Sequence, residues 1–119
     1  MKVYTVLLIW SDLVIEILSP GTEMNDLGDK KNVYEKTGVK EYWIVDPLVK
    51  KITVYLLVNN KLEINGVYYY KNQDELEAIP EEERKSIIPK FKSNIFSDLE
   101  INLADVFKGM LTPKKRRKK

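Results

Sequence analysis

The run Leu13–Leu18, LVIEIL, constrains this chain more than any other stretch. Leu13, Val14, Ile15, Ile17 and Leu18 supply apolar side chains to both alternating faces, the pattern of a strand covered on both sides. Glu16 stands in the middle of it. A lone buried carboxylate costs several kcal/mol unless it is paired, protonated or bound to a metal. On an extended strand Asp12, Val14, Glu16 and Leu18 share one face, with Asp12 and Glu16 roughly 13 Å apart. Those two acids therefore do not chelate one ion unless the backbone bends, and Glu16 needs an acidic partner from a neighbouring strand to hold a divalent metal.

The surrounding segments say what the strand packs against. Val3–Trp10 reads as another strand. After the SPGT break, Thr22 is placed to cap a helix from about Glu23 to Lys36, with Met24, Leu27 and Tyr34 as its apolar stripe and Gly38 as its stop. Glu41–Pro47 is a strand closed by an Asp-Pro turn, and Lys51–Val58 alternates as a β-branched and aromatic strand. Asn59-Asn60 turns the chain back into Leu62–Tyr70, where Asn65-Gly66 is either a second turn or a bend in one long strand. The stretch from Asp74 to Phe91 reads as short helical pieces and loop broken by Pro80 and Pro89, and NLADVF as a final helix capped by Asn102. The order implies an α+β (α/β-like) domain, a mixed sheet with one principal helix.

Composition narrows the chemistry. The 119 residues suit one domain, and 44% hydrophobic residues suffice for a core. There is no cysteine and no histidine, which excludes disulfides, thiolate metal sites and histidine-based catalysis. Any metal must be held by oxygen, which favours Mg²⁺, Mn²⁺ or Ca²⁺. The net charge of +2 hides an asymmetry: the six cations Lys114, Lys115, Arg116, Arg117, Lys118 and Lys119 end a chain whose other residues carry 14 Lys+Arg against 18 Asp+Glu. Such a tail is most often disordered and solvated, and it can bind nucleic acid by counterion release. The apolar N-terminal run is too short to span a membrane and lacks a cleavage site, so the expectation is a cytoplasmic protein with no membrane partner.

The helix brings Asp26 and Lys30 to one side at i, i+4, and helical phase makes Lys31 an equal candidate. A lysine beside a metal carboxylate orients water or stabilises phosphate charge. The bland alternatives are a structural Glu16–lysine ion pair, a surface Asp26–Lys30 pair, and Tyr42, Trp43 and Tyr68–Tyr70 as core and sheet surface.

Taken together, DLVIEILSPGT, DLGDKKNVYEKTGVKEYWIVDP, ITVY and IFSDLEINLADVF resemble the Uma-two family of restriction endonucleases, in the PD-(D/E)XK nuclease superfamily. The resemblance runs from about Asp12 to Phe107, more divergent between about Gly66 and Asn94. It implies a restriction-endonuclease-like fold over 1–108, with 109–119 as the basic tail, and Mg²⁺-dependent (or Mn²⁺-dependent) hydrolysis of DNA. By that resemblance Glu16 ligates the metal and Lys30, moved from the strand to the helix, is the second catalytic residue. The superfamily's usual lysine position is Leu18. Asp12 matches an acidic residue at the strand start and is a candidate metal ligand, and Tyr34 matches a helix tyrosine whose expected job is packing. The family pattern has a longer section before the Glu16 strand, whereas eleven residues precede Asp12 here. The expectation is an N-terminally truncated member, with an exposed sheet edge open to homodimer pairing. Two other readings stay open: a non-catalytic nucleic-acid-binding remnant working through its tail, and a vestigial fragment needing a partner chain.

Overall fold

The structure is a computed structural model that describes residues 6–9, 12–18 and 24–108. Thr22 as a cap, the side chains of Met24, Asp26 and Leu27, and the tail 109–119 lie outside the described residues.

Five strands form one sheet in sequence order: β1 (Val6–Ile9), β2 (Leu13–Ile17), β3 (Glu41–Asp46), β4 (Lys51–Val58) and β5 (Lys61–Tyr69). β2 and β3 run parallel, joined by the helix α1 (Met24–Thr37), and the other neighbours are antiparallel. The parallel pair in the middle of the sheet explains why Leu13–Ile17 is apolar on both sides: each face of β2 is covered. Leu13 and Ile15 join Trp43, Val45, Ile52 and Val54 in the larger core cluster, against Phe91, Leu103 and Phe107. Val14 faces the other way, with Tyr42, Val39 and Leu62, beneath α1.

Helix α1 ends where Gly38 takes φ +83°, a conformation that favours glycine. The Gly38 N–H donates to the Glu35 carbonyl and the Val39 N–H to the Tyr34 carbonyl, the paired bonds of a Schellman stop. Asn59 and Asn60 both have positive φ, the requirement of a two-residue hairpin turn. At Asn65-Gly66 the sequence left two choices, and the structure shows one strand with a bulge: Val54 pairs with Gly66, Tyr55 with Ile64, and Asn65 is the extra residue.

Beyond β5 come the short helices α2 (Gln73–Glu77) and α3 (Glu81–Arg84), the strands β6 (Lys90–Lys92) and β7 (Glu100–Asn102), and α4 (Leu103–Phe107). Asn102 caps α4 as expected, accepting from the Ala104 N–H at 2.9 Å. The β6–β7 ribbon was not expected. Each strand has three residues with one inward side chain, Phe91 or Ile101, too short to carry a period.

Candidate active site

Glu16 is fully buried, yet each carboxylate oxygen is satisfied. Oε1 accepts the Tyr42 hydroxyl at 3.0 Å, and Oε2 accepts the Tyr34 hydroxyl at 2.9 Å, with Lys30 Nζ at 3.4 Å from the same atom. Three elements supply these groups. Tyr42 comes from β3, whose parallel register sets Ile44 opposite Glu16, and Lys30 and Tyr34 stand one turn apart on α1. Tyr34 packs edge-on to Tyr42 at 4.9 Å, and Tyr42 stacks on Tyr55 at 5.7 Å, so the hydroxyls belong to a packed aromatic row. Tyr34 therefore packs, as expected, and also donates to the carboxylate.

Burial first, then the Glu16 charge and hydrogen bond, push the Tyr34 and Tyr42 phenols well above the ordinary tyrosine range. They stay neutral donors across physiological pH. A carboxylate has about four acceptor positions. The two phenols and the ammonium take three, leaving one on Oε1. The Lys30 side chain is 40% exposed, so its ammonium touches both the buried carboxylate and solvent. The structural ion pair and the catalytic candidate are thus the same contact, made by Lys30.

The remaining candidates separate. Lys31 turns toward Glu35 at 3.6 Å and over the Tyr55 ring at 5.5 Å from its centroid, not toward Glu16. Asp12 is partly exposed and pairs with Lys40 at 3.8 Å, while its backbone carbonyl accepts from the Lys40 and Glu41 N–H groups. The Asp12 carboxylate thus sits with a different cation from Glu16. Among the described residues no three carboxylates come close enough to hold a metal ion together.

A second buried carboxylate went unnoticed in the sequence. Glu41 is fully buried on the opposite face of the sheet, where it accepts from Trp43 Nε1 at 2.9 Å, Ser93 Oγ at 2.6 Å, and the N–H groups of Asn94 and Ile95. Its position at the start of a strand gave no sign of burial, because the loop that covers it lies fifty residues on. The acceptor positions of Glu41 are filled by donors that tie the 93–95 loop to β3, so it is a structural latch.

Comparison with known proteins places the chain in a family and its fold beside a solved structure. A model of the Uma2 family, described as "Putative restriction endonuclease", matches residues 10–85. The chain belongs to the Uma2 family. The family match ends before β6, so the Ile95–Phe107 part of the sequence resemblance lies outside it. The fold also matches a solved structure from Anabaena variabilis, described as a "putative nuclease belonging to DUF820", with 26% identity and a TM-score of 0.51. That match covers 87% of this chain and 48% of the other, so the chain spans about half the length of that protein. A comparison with curated proteins gave no match. The α+β, restriction-endonuclease-like fold is therefore common to this Uma2 chain and its solved neighbour. No helix among the described residues is long and apolar enough to cross a membrane.

Proposed function

We propose that this Uma2 chain carries the catalytic face of an Mg²⁺-dependent (or Mn²⁺-dependent) DNA endonuclease, centred on Glu16 and Lys30. The observation that carries the reading is the fully buried Glu16 carboxylate, oriented by two phenols and touched by a solvent-reaching ammonium. A purely structural carboxylate fills its acceptors inside the protein, as Glu41 does. Glu16 keeps one acceptor position open on Oε1, while a lysine that reaches water touches its Oε2.

A Mg²⁺ ion of the usual enzymatic kind takes one or two protein carboxylates and completes its shell with water and substrate phosphate, and among the described residues Glu16 is the one acid placed for it, without the acidic partner from a neighbouring strand that the sequence asks for. Glu16 would hold it, while Asp12, the other candidate ligand, sits with Lys40. Such an ion supplies Lewis-acid polarisation of the scissile phosphate and lowers the pKa of bound water. Tyr34 and Tyr42 hold the Glu16 carboxylate in one orientation. Lys30 donates to a phosphate oxygen or to the attacking water, offsetting charge that develops in the transition state.

The test is Mg²⁺-dependent nicking of supercoiled DNA by the chain, by Glu16→Gln and by Lys30→Met, with circular dichroism as the folding control. Loss of nicking in both folded variants supports the assignment. Nicking by Glu16→Gln at the parent rate overturns it. The hexacationic end, Lys114–Lys119, supports a second role as a nonspecific nucleic-acid contact. Deleting those six residues should then remove a steeply salt-dependent, Mg²⁺-independent component of DNA binding.

A further inference from the structure

Alongside Glu16, on the same face of the sheet, an open cleft of 290 Å³ lies between α1 and the strands. Gly28 and Lys31 form its helix wall, and Ile44, Lys51, Thr53 and Tyr55 its floor. Ile44 is the register partner of Glu16, and Thr53 the partner of Ile44, so the cleft begins one strand away from the carboxylate.

Three features of this cleft have no use among the described residues. The Thr53 residue is only 9% exposed, and its hydroxyl has no hydrogen-bond partner among the described residues. A buried unpartnered hydroxyl is costly and calls for an explanation. Lys51 makes no ion pair among the described residues. Gly28 sits inside α1, where glycine is a poor helix former, although a Cβ there would meet nothing within 4 Å. Neither helix stability nor packing asks for glycine. Close approach of a ligand to the helix backbone does.

We propose that this cleft is a phosphate subsite, holding a backbone phosphate of the nucleic-acid strand next to the one at Glu16. The proposal rests on the nuclease reading for its substrate. The Thr53 hydroxyl and the Lys51 ammonium donate to the phosphate oxygens, Lys31, already paired with Glu35, borders the site from the helix wall, and Gly28 leaves the strand room. Asp46, the one acid of the cleft among the described residues, is turned to its own loop, where it accepts the Leu48 N–H at 3.1 Å.

The test is a titration of the ¹⁵N-labelled full chain with a DNA duplex in EDTA, read at the Gly28, Lys31 and Thr53 amides, with anisotropy for affinity. Lys51→Gln should lower affinity roughly fivefold at 0.15 M salt, the loss of about one released counterion, and lower the salt slope by about one. Thr53→Val and Gly28→Ala should bind more weakly while melting no lower than the parent, Gly28→Ala roughly 3–6 °C higher. Parent-like binding by all three variants overturns the subsite. So do shifts that miss these amides, or amides that answer inorganic phosphate but not the duplex. Cleavage plays no part in this readout, so failure of Glu16→Gln to abolish nicking would sink the nuclease reading separately.

Discussion

Removing the Tyr42 hydroxyl is the most informative perturbation of the Glu16 site. Tyr42→Phe keeps the ring, and with it the stacking on Tyr55 and the edge contact with Tyr34. What is lost is one fully buried hydrogen bond, 3.0 Å long, to a charged acceptor. Bonds to charged groups contribute about 1.5–3 kcal/mol, against about 0.5–1.5 kcal/mol for neutral ones. The substitution should therefore cost about 2 kcal/mol in the parent protein. In a Glu16→Gln background the same bond has a neutral acceptor and should cost about 1 kcal/mol. The difference of about 1 kcal/mol is a coupling energy, measurable by urea unfolding of the parent, both single variants and the double variant at pH 7. Additivity of the two substitutions within about 0.5 kcal/mol, the usual behaviour of independent sites, would refute the idea that Tyr42 serves the Glu16 charge.

Alkaline unfolding offers a second check. The phenols of Tyr34, Tyr42 and Tyr55 are all raised above the ordinary value of 10.0, Tyr55 by burial alone. The folded chain then keeps protons that the unfolded chain releases, so this stability is complete below pH 10 and is lost as pH rises above it. Tyr42, fully buried, adds up to about 1.4 kcal/mol per pH unit to that decline, and the two tyrosines nearer solvent add less. Urea midpoints between pH 9 and 11 should fall less steeply in Tyr42→Phe, and an unchanged slope would contradict the assignment. Glu41→Leu leaves Trp43 Nε1, Ser93 Oγ and the Asn94 backbone N–H without their acceptor, and should cost about 3–5 kcal/mol and speed amide exchange in β6 and β7. A cost under 1 kcal/mol would mean that the latch is not needed. Gly66→Ala would place a Cβ 2.7 Å from the Tyr68 hydroxyl and 2.9 Å from its ring, which stacks on Phe91 at 4.2 Å and has little room to move. About 1–3 kcal/mol should be lost, and Tyr68→Leu should relieve it.

The apolar run around Glu16, the helix after it, its glycine stop, the Asn-Asn turn and the alternating β4 were legible because each is a local pattern with a local cause. Leu13–Ile17 had to be covered on both sides whatever surrounded it, and Gly38 could end α1 without reference to the rest of the fold. Glu16 stood out from its apolar run and Lys30 and Lys31 from helical phase, the resemblance favoured Lys30, and the structure places the Glu16 and Lys30 side chains 3.4 Å apart. It also sets Asp12 with Lys40, a pairing that depends on where the β2 start meets the loop before β3.

Contacts between distant segments were decided by tertiary structure alone. Tyr42 and Glu16 are 26 residues apart, and only the parallel β2–β3 register aims the phenol at the carboxylate. Glu41 reads as an ordinary strand-start acid until the 93–95 loop folds over it. The β6–β7 ribbon has too few residues to show a period, and forms because Phe91 and Ile101 find the apolar face of the sheet. Sequence by itself determined which segments must be buried and one acid that had to find partners. Which partners it found was set by strand register, since a shift of a single residue would turn every side chain of β3 to the other face.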